Sequence, residues 1–152
     1  MPPDQDIEAV VHVIQLAIAP VFLITGIGSM LAVMANRLAR IIDRARFVEG
    51  AWSKLDESER LDARRELASL AHRAALASWA INFCALAALL VCALIATLFV
   101  DAFVGTSLRW IVGVLFVLAM IVLSGGIVCF LREVYVATHT LRIGPPPERV
   151  DQ

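Results

Sequence analysis

The residues that could carry enzyme chemistry are few and far apart in this sequence. His12, His72 and His139 are separated by long stretches of chain, and no serine, threonine or cysteine has a base at a spacing that would activate it. The cysteines lie inside apolar runs and lack the C-x-x-C spacing typical of a zinc site: Cys84, Cys92 and Cys129. We therefore expect no enzyme activity, no metal and no cofactor.

The strongest polar feature is "MANRLARIIDRAR", residues 34–46, where an apolar run ends in a cluster of arginines. On a helix Arg37, Arg40 and Arg44 share a face, and Asp43 lies three residues from Arg40, close enough for an ion pair. Guanidinium groups bind phosphate in a bidentate manner. The pattern favours an orientation signal that contacts anionic headgroups, and a dedicated ligand site is the alternative. The cluster comprises Asn36, Arg37, Arg40, Asp43 and Arg44.

The amino-acid composition indicates which class of protein holds these side chains. Of the 152 residues, 60% are hydrophobic and only 18% are charged, and the mean hydropathy is +0.80. Ordinary globular domains are about half apolar and about a quarter charged. The composition is therefore that of an integral membrane protein.

Three uncharged apolar segments, at about 9–35, 74–100 and 110–131, are long enough to cross a bilayer. Backbone groups cannot stay unpaired in lipid, so all three are expected to be helices. The predicted fold class is all-α, with one transmembrane domain at 9–144. We expect residues 1–8 to form a short extracytoplasmic N-terminus and residues 145–152 to form a disordered tail.

The distribution of positive charge predicts the orientation. Residues 37–73 contain nine arginines and lysines, whereas the segment before the first span contains none. Positively charged loops stay in the cytoplasm. We expect the N-terminus outside and the C-terminus in the cytoplasm of a bacterial inner membrane.

Helical periodicity continues beyond the membrane. Leu38, Ile41, Ala45 and Val48 recur at three-four spacing, and Gly50 is expected to end that helix. A second helix, capped by Ser53 or Asp56, carries a matching stripe of Ala63, Leu67, Leu70 and Ala74. These stripes predict an antiparallel helical hairpin at about 37–73.

The third helix is also predicted to extend beyond its span, because an apolar stripe continues through Ile127, Leu131, Val134, Thr138 and Leu141 to the "GPPP" at 144–147. Glu133 lies just after the last apolar residue of the span, at the depth of the arginines. Charges at that depth usually find partners, so we predict an ion pair with Arg37, Arg40 or Arg44.

One face of the first span carries Glu8, His12 and Gln15 near its outer end. Followed inward, the same face becomes apolar and then basic, as expected of a helix that lines a pore in a homo-oligomer. The alternative is that His12 and Gln15 hydrogen-bond to neighbouring helices or reach the membrane interface.

The order of these features resembles a family of small three-span bacterial membrane proteins, domain of unknown function 2721. The resemblance rests on Pro20 in the first span, on "NRLARIIDRAR" and on the third span ending in "FLREV". Asn36, Arg37, Arg44 and Glu133 match the family pattern. The resemblance covers about residues 7–143 and implies an integral membrane protein, without catalytic or ligand residues to carry over.

The remaining polar and small residues of the spans are expected to shape helix packing: Pro20, Gly26, Gly28 and Asn82. Gly28 with Ala32 forms a small-xxx-small pair, and Asn82 is expected to hydrogen-bond between helices. Many small faces on only three helices also favour a homo-oligomer.

Two functional hypotheses remain open from the sequence. The first is a non-enzymatic structural or regulatory membrane protein whose arginine-rich cytoplasmic face contacts anionic lipid headgroups or a protein partner. The second is a homo-oligomeric ion channel with the first span around the pore. Nucleic acid is not an expected partner, because the basic residues lie at the lipid surface.

Overall fold

Three long helices form because the apolar segments leave the backbone no other hydrogen-bond partners inside a bilayer. The computed structural model describes residues 3–104 and 108–139. Helix α1 spans Pro3–Ala51, a 3-10 turn spans Trp52–Lys54, α2 spans Glu57–Val104 and α3 spans Arg109–His139. Each helix is long and apolar enough to cross a membrane. The described residues contain no strand, and the predicted all-α fold is confirmed.

The chain passes up and down, and α2 is the central helix. It packs along both α1 and α3, whereas the backbones of α1 and α3 hardly approach one another. We call the end where α1 finishes and α2 begins the basic end, because residues 37–73 contain nine of the 13 arginines and lysines. The opposite end holds the connection between α2 and α3.

Buried residues recur every seventh position along each helix. On α1 they are Ile27, Met34, Ile41 and Val48; on α2, Ala63, Leu70, Ala77, Cys84 and Val91; on α3, Ala119, Gly126 and Glu133. A seven-residue repeat keeps one seam facing its neighbour when helices coil around each other with a left-handed twist. The three helices therefore pack along continuous seams that extend beyond the apolar segments.

Helices α2 and α3 approach each other closely at Gly126. A Cβ atom built there would lie 2.9 Å from Cys84 Sγ and 3.3 Å from the Ala80 carbonyl oxygen. Such a distance is shorter than carbon and sulfur atoms tolerate, so only glycine fits. Small residues allow this kind of contact between membrane helices, where dispersion forces replace the hydrophobic effect.

The turn between α1 and α2 differs from the sequence prediction in one respect. Gly50 does not end α1, which continues through it to Ala51. The following helix begins with two side-chain hydrogen bonds at its first turn: the Glu57 N–H donates to Asp56 Oδ1 at 2.8 Å, and the Asp56 N–H donates to Glu59 Oε2 at 3.0 Å. Asp56 rather than Ser53 is therefore the cap.

The apolar stripes predicted for the three helices agree to different degrees with the residues that are buried. Ile41 and Val48 of α1 and Ala63 and Leu70 of α2 are buried, and the other members of these two stripes are half-buried. Helix α3 continues beyond its apolar span to His139, as predicted. Its stripe is only partly packed: Ile127 and Val134 are half-buried, whereas Leu131 is 59% exposed and Thr138 is exposed. Leu141 lies outside the described residues. The buried positions of α3 carry glycine and glutamate instead.

Candidate functional site

Glu133 occupies a seam position of α3, where a small or apolar residue would be expected. Its relative exposure is 0%, and it is the only buried charged residue of the described chain. An isolated carboxylate is costly to remove from water, so a buried one requires cations or hydrogen-bond donors around it. The two other helices supply these cations.

Arg73 of α2 provides the hydrogen bonds. Its Nε donates to Glu133 Oε1 at 3.2 Å, and its Nη2 donates to the same oxygen at 3.0 Å. The Arg73 side chain is 21% exposed, so this contact is shielded from water for most of its surface. Charge-assisted hydrogen bonds are stronger than neutral ones, especially when partly buried.

Arg37 of α1 provides the second cation. Its Nη2 lies 2.9 Å from Glu133 Oε2, and its guanidinium carbon lies 5.5 Å from the centre of the Phe130 ring. The geometry satisfies the distance for an ion pair but not the alignment for a hydrogen bond, so Oε2 has no hydrogen-bond donor within the described chain. Arg37 therefore contributes mainly charge, whereas Arg73 contributes charge and hydrogen bonds.

We call Arg37, Arg73 and Glu133 the ion-pair cluster. It joins all three helices where their apolar segments end, and its formal charges sum to +1. Because α1 and α3 otherwise approach little, the side-chain contact between Arg37 and Glu133 is a main link between them. The arrangement can fix the rotation and depth of the helices, and it leaves guanidinium donors free for an anion at the membrane surface.

A second layer of charge lies further from the membrane. Arg44 Nε donates to Glu66 Oε1 at 2.7 Å and joins α1 to α2, but the Arg44 side chain is 54% exposed. Its guanidinium also lies 5.5 Å from the Phe47 ring centre. Exposed pairs of this kind contribute little stability. We therefore expect the buried ion-pair cluster to contribute more to helix packing than this exposed pair does.

The sequence proposed Arg37, Arg40 or Arg44 as the partner of Glu133, and the structure places Arg37 there. Asn36, Arg40 and Asp43 are exposed, and no ion pair joins Asp43 to Arg40 among the residues described. The sequence did not single out Arg73. Its position immediately before the second apolar segment was the available signal, because it sets Arg73 at the depth of Glu133.

The polar residues predicted on the first span are only partly described. Gln15 is exposed on α1, whereas the side chains of Glu8 and His12 lie outside the described residues. Within the described chain no group of three histidine, cysteine or acidic residues could hold a metal ion.

Of the four predicted packing positions, one is buried and three are exposed. Pro20 is buried, although α1 continues through it. Gly26 and Gly28 are exposed, and a Cβ atom at either would meet nothing within 4 Å, so no described helix uses them for close approach. Asn82 is also exposed and has no hydrogen bond to another described residue, so it does not link helices within the chain.

Three apolar helices, each antiparallel to the next, are tied together by a buried ion-pair cluster and define this chain as a multi-pass helical membrane protein. It belongs to the family described as "Protein of unknown function (DUF2721)", whose model matches residues 17–143. The comparisons with curated proteins and with solved structures give no match. The family resemblance inferred from the sequence is thereby confirmed.

Proposed function

We propose that this chain is a non-enzymatic structural or regulatory protein of the bacterial inner membrane, whose basic end faces the cytoplasm and binds anionic lipid headgroups. The observation that carries this proposal is the presence of exposed arginines next to the ion-pair cluster. Arg40 and Arg132 are exposed and form no ion pair with another described residue. Arg40 follows Arg37 by three positions on α1, and Arg132 directly precedes Glu133 on α3.

The depth of these two arginines suits phosphate groups at the bilayer surface. Arg40 lies ~4.5 Å beyond Arg37 along α1, and Arg132 is adjacent to Glu133 on α3. A basic residue near an anionic bilayer surface contributes about 1 kcal/mol to the interaction. The cluster residues bring α1 and α3 together, so both exposed cations act on the same region of the lipid surface.

The lipid preference can be measured in phosphatidylcholine nanodiscs with and without phosphatidylglycerol. We expect phosphatidylglycerol to stabilise the chain, and Arg40→Gln with Arg132→Gln to reduce that stabilisation by about 2 kcal/mol. Arg46→Gln is the matched control, because Arg46 is exposed but ~14 Å beyond Arg37, more than the screening length of physiological salt. Equal effects of the double variant and the control would contradict headgroup binding and favour a soluble or protein partner.

The orientation can be tested with engineered cysteines. Ser53 is exposed in the turn at the basic end. In the sequence, Ser107 falls between the last residue of α2 and the first residue of α3. A membrane-impermeant maleimide should label Ser107→Cys in intact cells, and should label Ser53→Cys only after lysis. The unmodified chain, whose cysteines lie in apolar segments, serves as the background. The reverse labelling pattern would contradict the proposed orientation.

A homo-oligomeric channel with α1 around the pore is the second candidate function. Exposure of Gln15, a polar side chain on an otherwise apolar helix surface, favours it. The oligomeric state of the purified protein is the first measurement, and conductance of reconstituted bilayers is the second. We expect Glu8→Gln to change the conductance if α1 lines the pore. A monomer without conductance would eliminate the channel.

A further inference from the structure

A groove lies at the end of the bundle opposite the basic end, and all three helices contribute to its wall. It has a volume of about 680 Å³, which is in the range of small-molecule sites. Leu16 and Pro20 of α1, Leu98 of α2, and Gly113 and Phe116 of α3 form much of its apolar lining. The groove lies where α1 and α3 both pack on α2 while their backbones hardly approach each other.

The rim of this groove carries one charge of each sign. Asp101 is half-buried, and its Oδ1 accepts the Leu108 N–H at 2.9 Å, which fixes the carboxylate at the start of α3. Arg109 also lines the groove; it is exposed and has no ion pair or hydrogen bond with another described residue. No salt bridge within 4.0 Å joins these two groups in the described chain, so each charge can bind a ligand group.

The wall formed by α1 adds a hydrogen-bond acceptor. Pro20 has no N–H, so the carbonyl of Leu16 lacks the donor that a regular α-helix would provide four residues later. Leu16 and Pro20 both line the groove. The same site therefore combines an apolar slot, a cation without an ion-pair partner among the described residues, a carboxylate and a carbonyl without its helical donor.

The length of α3 places the rim at the membrane face opposite the ion-pair cluster. Arg109 and Glu133 are 24 positions apart on α3, which corresponds to ~36 Å along the helix. That length slightly exceeds the ~30 Å hydrocarbon thickness of a bilayer. If the ion-pair cluster lies at one interface, Asp101 and Arg109 lie at the other, where lipid headgroups are.

We propose that this groove is a binding site for a zwitterionic aminophospholipid. One acyl chain fills the apolar slot, the phosphate pairs with Arg109, and the primary ammonium pairs with Asp101. An apolar helix from a second copy would satisfy neither rim charge, and an anionic lipid would satisfy only Arg109. The charge pattern of the rim thus selects a headgroup that carries both signs.

Native mass spectrometry of the full-length chain tests this assignment. The protein is incubated with an equimolar mixture of dioleoyl phosphatidylethanolamine, phosphatidylglycerol and phosphatidylcholine, and the mass of the retained lipid identifies its headgroup. We expect one retained phosphatidylethanolamine, favoured about fivefold over phosphatidylcholine, whose quaternary ammonium cannot donate a hydrogen bond; fivefold corresponds to ~1 kcal/mol.

Gly113→Leu tests the slot without disturbing the protein. A Cβ atom at Gly113 meets nothing within 4 Å, so the added side chain should enter the groove and exclude the acyl chain. Gly28→Leu is the matched control, because Gly28 is equally open but lies outside the groove lining. We expect lipid retention to be lost in the first variant and unchanged in the second, with unchanged thermal stability in both.

Two rim variants test the headgroup contacts. Arg109→Gln should lower retention of phosphatidylethanolamine about fivefold. Asp101→Asn keeps an acceptor for the Leu108 N–H but removes the charge, and should abolish the preference for phosphatidylethanolamine over phosphatidylglycerol. Retention that survives both Gly113→Leu and Arg109→Gln would overturn the proposal. A retained second chain that Gly113→Leu dissociates would overturn it as well, by showing that another copy fills the groove.

The same measurement distinguishes lipid bound in the groove from lipid bound at the basic end. Arg40→Gln with Arg132→Gln should reduce only retention of phosphatidylglycerol, whereas the groove variants should reduce retention of phosphatidylethanolamine. A loss of phosphatidylethanolamine caused by the basic-end variants would overturn the assignment to the groove.

Discussion

Replacing Glu133 by glutamine should be among the most destabilising single changes at the basic end. The substitution keeps the size of the side chain but leaves Arg37 and Arg73 facing one another without a carboxylate. It also replaces two charge-assisted hydrogen bonds from Arg73, at 3.2 and 3.0 Å, by weaker ones. Removing one partner of a fully buried ion pair costs about 3–5 kcal/mol.

The magnitude expected here is at the lower end of that range. The Arg37 and Arg73 side chains are 34% and 21% exposed, so both guanidiniums can recover some hydration after Glu133 loses its charge. We expect Glu133→Gln to lower the free energy of unfolding by about 3 kcal/mol. Arg73→Gln should cost about 2 kcal/mol, because it removes both hydrogen bonds to Oε1. Arg37→Gln should cost about 1 kcal/mol, because its contact with Oε2 lacks hydrogen-bond alignment.

The assay is reversible unfolding in mixed micelles of a mild detergent and dodecyl sulfate, followed by helical ellipticity. Arg44→Gln is the control, since it breaks an exposed ion pair between α1 and α2 and should cost about 0.5 kcal/mol. The combined Arg73→Gln and Glu133→Gln variant should lose less than the sum of the two single variants, because both remove the same interaction.

Two results would refute this reasoning. If Glu133→Gln costs no more than Arg44→Gln, the cluster does not stabilise the bundle. If Arg37→Gln costs more than Arg73→Gln, the division between a charge contact and a hydrogen-bonded contact is wrong. Exchange of the charges, with Glu133→Arg and Arg37→Glu together, should recover part of the loss of Glu133→Arg alone if the pair links α1 to α3.

Other predictions concern helix packing and the turn. Gly126→Val should destabilise the bundle by about 2–3 kcal/mol, because its Cβ atom would lie 2.9 Å from Cys84 Sγ. Gly125→Ala, where a Cβ meets nothing within 4 Å, should change the free energy of unfolding little, and equal effects of both changes would contradict close packing at Gly126. Asp56→Ala removes the N-cap of α2 and should cost about 1 kcal/mol in the same unfolding assay, whereas Asp56→Asn, which retains an acceptor, should cost less.

Part of the predicted stripe on α3 faces away from the other helices, for a physical reason that applies to membrane helices generally. In water, a periodic row of leucine and isoleucine indicates the buried face, because apolar side chains leave the solvent. In lipid the same side chains are equally stable on the outside, and helix contact selects small residues instead. Leu131 therefore faces outward, while Ala119 and Gly126 are buried. Beyond the apolar segments of α1 and α2, the row of Ile41, Val48, Ala63 and Leu70 does identify the buried faces.

The sequence by itself determined that the chain is a three-helix membrane protein, because uninterrupted apolar length and backbone hydrogen bonding leave no other structure in a bilayer. It also pointed to Glu133, since a charge at the end of a membrane helix needs a partner.

Only the tertiary structure decided which arginines surround Glu133. That choice depends on the relative rotation and register of helices far apart in the chain, and a close contact such as Gly126 with Cys84 sets this register. The same geometry brings Asp101, Arg109 and Pro20 from three helices to one groove, a juxtaposition that spacing along a single helix does not reveal.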